Sequence, residues 1–174
     1  MLGLGGGSLA KYCYAKLPQC RIDVVEIDPY VIGFREQFFI PENDDRFRVI
    51  HDDAARYVER CATQYDVIML DAFDRDGFSA SIDDREFYLQ TRSALSSKGL
   101  LIANLAGARS QRVKHLAAMR EAFADNVLVV QIGDDGNHVA IAFSNAPFEP
   151  NWHWVAKKAR ALGDRRASCR ERVS

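Results

Sequence analysis

Apolar residues recur along this chain in two alternating patterns: short unbroken runs, and longer stretches with an apolar residue every third or fourth position. The first suits strands buried on both faces, the second amphipathic helices. Leu2-Gly3-Leu4 reads as a strand end running into Gly5-Gly6-Gly7 and then a helix from Ser8. Ile22-Asp23-Val24-Val25-Glu26-Ile27-Asp28 is a second strand ending in carboxylates. Asp28-Pro29 reads as N-cap and first helical residue of a helix over 30–39, whose Val31, Phe34 and Phe38, with Phe39, are expected in the core. The alternation continues with a strand over 47–50, a helix over 54–61 capped by Asp52 or Asp53, and the strongly apolar strand Tyr65-Asp66-Val67-Ile68-Met69-Leu70 before Asp71. After a loop over 72–82 come a helix over 84–95, a turn at Lys98-Gly99, a strand over 100–104 and a helix over 110–124. Strands over 127–132 and 138–143 flank the turn-rich 133–137.

Strands alternating with helices up to a closing strand-turn-strand pair predict an α/β, Rossmann-like fold, a mostly parallel sheet with an antiparallel last strand. Ligands of such sheets bind outside the carboxyl ends of the strands. Gly5, Glu26, Asp53 and Asp71 all follow strand ends, so four loops distant in sequence are expected to converge on one crevice. The glycine run allows tight turning and close backbone approach to a ligand, and the helix after it offers free N–H groups. An acid about twenty residues beyond such a loop has the spacing of a ribose-binding carboxylate, which makes Glu26 the first ribose candidate. Asp71 ends a buried strand, where an unpaired carboxylate is costly without a functional partner.

Composition narrows the partner rather than the fold. At 174 residues, 48% hydrophobic and 27% charged, the chain is long enough for one domain with a real core, placed over 1–165. Lys+Arg 23 against Asp+Glu 24 leave a net charge of -1, which draws the protein neither to nucleic acid nor to a membrane surface, so the partner is expected to be small. There is no signal-peptide pattern and no apolar run near the roughly 20 residues that span a bilayer, so the cytoplasm is the expected location. Cys13, Cys20, Cys61 and Cys169 form no C-x-x-C pair, and His51, His115, His138 and His153 share no helical face, so no metal site is expected. Trp152 and Trp154 are expected to pack a C-terminal helix. Residues 166–174, Arg-rich and without apolar period, read as a non-native tail.

Taken together, Leu4-Gly5-Gly6-Gly7, Val25-Glu26-Ile27-Asp28, Asp52-Asp53-Ala54 and Asp71-Ala72-Phe73-Asp74 resemble the spermidine synthase-like polyamine aminopropyltransferases, within the class I S-adenosylmethionine-dependent methyltransferase fold. The likeness runs from Leu2 to about Ser144. It implies that Gly3, Gly5, Gly6, Gly7 and Ser8 approach a sulfonium nucleoside, that Glu26 holds its ribose hydroxyls and that Asp53, also a helix cap, accepts from the adenine amino group. It implies further that Asp71 orients an acceptor amine and takes its proton, and that Asp74 fixes a second ammonium unless it pairs with Arg75. Tyr88 belongs either to the amine pocket or to the core. The implied reaction is aminopropyl transfer from decarboxylated S-adenosylmethionine to a diamine such as putrescine, in polyamine biosynthesis, with no metal. The family's first loop commonly carries an acid where this chain has Ser8, so methyl transfer from S-adenosylmethionine stays open, as does a non-catalytic nucleoside-binding domain. The family's N-terminal β-rich region, which contributes to amine binding and assembly, has no counterpart here. The chain is therefore expected to be N-terminally truncated, and a homodimer is among the implied assemblies.

Overall fold

The structure, a computed structural model, describes residues 1–74, 77–78, 82, 84–132, 137–145 and 157. Three helices start at an aspartate whose side chain accepts from the first turn, satisfying donors that the helix itself leaves without partners. Asp28 accepts from the Tyr30 N–H at 2.8 Å and opens α2 (Pro29–Gly33), with Pro29 in the first turn where no N–H is missed. Asp53 accepts from Ala55 and Arg56 at 2.9 and 3.1 Å and opens α3 (Ala54–Glu59). Asp84 accepts from Phe87 at 2.9 Å and opens α4 (Arg85–Ser93). The remaining helices are α1 (Ser8–Lys16), directly after the glycine run, and α5 (Arg109–Ala122).

β1 (Ile22–Glu26) pairs in parallel with β2 (Phe47–His51), and β3 (Tyr65–Leu70) in parallel with β6 (Leu95–Asn104). Leu2 joins these two pairs: it bridges Val25 and Leu70 in the parallel sense, its N–H donating to the Met69 carbonyl at 2.7 Å. β8 (Asn137–Phe143) lies antiparallel between β6 and β7 (Val127–Ile132). The order across the sheet is therefore β2, β1, Leu2, β3, β6, β8, β7, and the last strand in the chain is the antiparallel one, as the alternation predicted. A two-residue ladder, β4 (Phe73–Asp74) with β5 (Gly77–Phe78), follows β3 outside this sheet.

Adjacent strand residues point to opposite faces, and both faces are covered. Val24 packs with Phe47, Ile40 and Cys13 beneath α1, while Val25 joins Leu70, Leu101, Phe87, Met119 and Phe123 beneath α3, α4 and α5. At the amino end of the sheet, Arg48 forks onto Asp23 at 2.8 and 2.9 Å and the Tyr65 hydroxyl donates to Asp23 at 2.7 Å. Burial works to raise the Asp23 carboxyl, but these hydrogen bonds and the Arg48 charge outweigh it and hold the group below the usual carboxylate range.

Two sequence expectations are corrected. The helix expected over 30–39 stops at Gly33, and residues 34–39 turn instead. Phe34, Phe38 and Phe39 are consequently exposed by 52%, 41% and 86%, Phe39 with φ of 53°, while Ile40 takes the buried place. The Arg35 guanidinium helps fix this turn by donating to the Asn43 side chain at 2.9 Å. The strand expected over 100–104 begins earlier, as β6 at Leu95, and Lys98-Gly99 falls in a stretch, 96–99, that has no register partner on β3 before regular pairing resumes at Leu100. The register of β6 against β3 is irregular between Tyr65 and Val67, and Gly99 passes so close to the Tyr65 carbonyl that a Cβ would sit 2.8 Å from it. Trp152, Trp154 and the tail over 166–174 lie outside the described residues.

Candidate active site

Gly3, Gly5 and Gly7 have φ of 101°, 50° and 67°, a region that side chains rarely adopt. The loop's two ends are tightly packed: a Cβ on Gly3 would overlap the Asp71 carbonyl oxygen, and one on Gly7 would strike the Ile40 side chain. Its middle is open, since a Cβ on Gly5 or Gly6 would meet nothing within 4 Å. Here the loop, Ser8 at the start of α1, Met69 and Asp71 line a crevice of ≈ 220 Å³. An open glycine wall beside a helix N-terminus is a fitting cradle for a nucleoside-type ligand.

Glu26, the last residue of β1, holds the loop in place. Its Oε2 accepts from the Leu4 N–H and its Oε1 from the Asp28 N–H, both at 2.9 Å, so one side chain ties the first loop to the second. Each carboxylate oxygen retains a lone pair for a hydroxyl donor. The third loop is joined to the second through its backbone, Asp52 N–H donating to the Glu26 carbonyl at 3.0 Å. Asp53 is the α3 cap through Oδ1 alone, and of the four strand-end residues expected at one crevice only Gly5 and Asp71 line it, while Glu26 and Asp53 do not. Neighbouring Asp52 is ion-paired with Arg60.

Asp71 follows β3, and its N–H donates to the Leu2 carbonyl at 2.9 Å. Expected at a buried strand end, the residue lies instead at the solvent edge of the crevice, with a partner. That partner is Asn104, the last residue of β6, whose Nδ2 donates to Asp71 Oδ1 at 2.9 Å. Sequence reasoning missed Asn104. Its signal was a lone polar residue closing the apolar run Leu100-Leu101-Ile102-Ala103 at the strand end adjoining Asp71.

The structure does not bring Tyr88 to this crevice. It is fully buried on α4, stacks edge-on against Phe87 with centroids 5.2 Å apart, and its hydroxyl lies 2.9 Å from His115 Nδ1. Of the two places open to it, the described residues put it in the core. Asp74 lies in β4, and its side chain is outside the described residues. Among the described residues, no helix is long and apolar enough to cross a membrane.

A sheet of this order with a single inserted antiparallel strand, helices on both faces, and a glycine loop and an acid at the ends of its first two strands defines the Rossmann-like class I methyltransferase fold. Within that fold, the spermine/spermidine synthase domain matches residues 2–108, and the chain belongs to that family. It is 30% identical over 164 residues to the polyamine aminopropyltransferase of Neisseria meningitidis serogroup A, covering 94% of this chain but 62% of that protein. It thus spans under two thirds of the length of this curated relative. It superposes on a probable spermidine synthase from Corynebacterium glutamicum with a TM-score of 0.73 at 25% identity, covering 86% of this chain and 57% of the other. Human methyltransferase-like protein 13 in complex with SAH matches with a TM-score of 0.72 at 27% identity, covering 86% and 71%.

Proposed function

We propose that the protein is an aminopropyltransferase that joins a propylamine group from decarboxylated S-adenosylmethionine to a diamine such as putrescine. The observation that carries this reading is the joining of the glycine loop, Glu26 and Asp71 at the carboxyl ends of adjacent strands, Leu4 N–H donating to the Glu26 carboxylate and Asp71 N–H to the Leu2 carbonyl, in a member of this family. Glu26 accepts from the ribose hydroxyls with the lone pairs its backbone partners leave. Asp53 accepts from the adenine amino group through Oδ2, the oxygen not used in capping. The sulfonium cosubstrate supplies an electrophilic carbon and a good leaving group. Asp71 orients the acceptor amine and takes its proton as the C–N bond forms and the C–S electron pair returns to sulfur. Asp74 fixes the second ammonium. On the same reading residues 1–165 are the nucleoside-binding catalytic domain of a cytoplasmic enzyme that can assemble as a homodimer.

A second reading, methyl transfer from S-adenosylmethionine, is favoured by Ser8. A neutral hydroxyl lines the crevice there, and it neither attracts an aminopropyl ammonium nor repels a carboxylate. Product analysis with both cosubstrates and a diamine separates the two. Methylthioadenosine is expected; S-adenosylhomocysteine selects methyl transfer, and tight nucleoside binding with neither product selects a binding domain.

A further inference from the structure

Asn104 occupies a position that its own stability does not explain. It ends β6 where the preceding side chains are apolar, and its neighbour Ala103 pairs in register with Leu70, directly before Asp71. An ionised aspartate only accepts hydrogen bonds, so the Asn104 amide must turn its Nδ2 toward Asp71 Oδ1. That orientation sends Asn104 Oδ1 into the interior, where it is buried and has no hydrogen-bond partner among the described residues. Leaving a buried carbonyl without a donor is costly, and an aliphatic side chain at this strand end would avoid the cost. The amide sacrifices its own oxygen to hold one oxygen of Asp71.

We propose that Asn104 is a positioning residue for the transfer reaction: by pinning Asp71 Oδ1 it fixes the carboxylate plane and aims Oδ2, which accepts no bond among the described residues, at the acceptor amine. This rests on the transferase reading above but not on which group is transferred, because the acceptor loses one proton to Asp71 in either case. Such a residue acts on the rate and not on nucleoside binding, since among the described residues its side chain bonds to Asp71 and to neither the glycine loop nor Glu26. It also opposes stability, the combination expected where function holds a polar group in an unfavourable place.

The test is Asn104→Leu in the full 174-residue chain, alone and combined with Asp71→Asn, read by thermal melting, by calorimetric binding of S-adenosylhomocysteine or methylthioadenosine, and by kcat and KM for the diamine. The proposal expects an equal or higher Tm, unchanged nucleoside Kd, and a kcat lowered about tenfold or more, with no further loss when the change is added to Asp71→Asn. A lower Tm with weaker nucleoside binding would show a structural role and overturn it. So would a wild-type kcat, or the same fractional loss in the Asp71→Asn background. If the parent chain turns over and the variant matches it, only the positioning role falls. If the parent turns over with neither cosubstrate, the transferase reading falls and the positioning role with it.

Discussion

Glu26→Gln is the substitution that most sharply separates what Glu26 does for the fold from what it does for a ligand. Both carboxylate oxygens accept a backbone N–H at 2.9 Å, one from Leu4 in the glycine loop and one from Asp28 at the start of α2. A glutamine can offer only one oxygen. Its amide nitrogen would face the other N–H, donor against donor, and neither orientation of the side chain escapes this. Hydrogen bonds to a charged group are worth about 1.5–3 kcal/mol, and Glu26 is partly exposed, so the lower part of that range applies to each. Losing one bond and the charge assistance of the second gives roughly 1.5–3 kcal/mol of lost stability. For a chain of this size, each 1 kcal/mol lowers Tm by about 2–4 °C, so a fall of roughly 3–12 °C is expected in calorimetric melts. Nucleoside affinity should drop together with Tm, by a further ~1.5–3 kcal/mol, because the loosened loop and the missing ribose acceptor act on the same site. Glu26→Ala should behave almost alike. If Glu26→Gln melts within about one degree of the parent, the carboxylate does not anchor the loop and the structural argument is refuted. If it melts low yet binds nucleoside normally, the ribose assignment fails instead.

Asp71→Asn keeps an oxygen for Asn104 but cannot take a proton, so turnover should fall by about 10²–10⁴-fold at unchanged cosubstrate affinity, and near-parental rates in a steady-state assay would end its catalytic role. Ser8→Asp should raise the affinity ratio of decarboxylated to ordinary S-adenosylmethionine, measured by competitive binding; an unchanged ratio would mean that Ser8 does not face that end of the ligand. Gly3→Ala combines φ of 101° with overlap on the Asp71 carbonyl, whereas Gly5→Ala, at φ of 50°, enters open space. The first should therefore cost well over the ~1–2 kcal/mol of left-handed strain expected for the second, and equal Tm losses would contradict the packing described for the loop.

Local chemistry was legible in the sequence wherever a structural choice is made by neighbours along the chain. Asp28-Pro29 and the Asp52-Asp53 pair mark helix starts because capping is settled within three residues, and the apolar run before Asp71 marks a strand by its own composition. The antiparallel last strand followed from the closing strand-turn-strand pattern, and the glycine loop with the other strand-end motifs carried the resemblance to the family. What only the tertiary structure decided depends on contacts between distant segments. Nothing local says that a helical stripe must stop at Gly33 and leave Phe34, Phe38 and Phe39 outside, because the choice between them and Ile40 is made by the space beneath α1. The pairing of Leu95 with Tyr65, ahead of the unpartnered stretch that holds Lys98-Gly99, is likewise visible only once β3 lies alongside. Tyr88 could have faced a ligand, and its burial beside His115 is set by the packing of α4 on α5. The clearest case is Asn104, which lies 33 residues from Asp71 in sequence and beside it in the sheet. A hydrogen bond of that span leaves no periodic or local trace, because its energy depends on strand register, and register exists only once the sheet has formed.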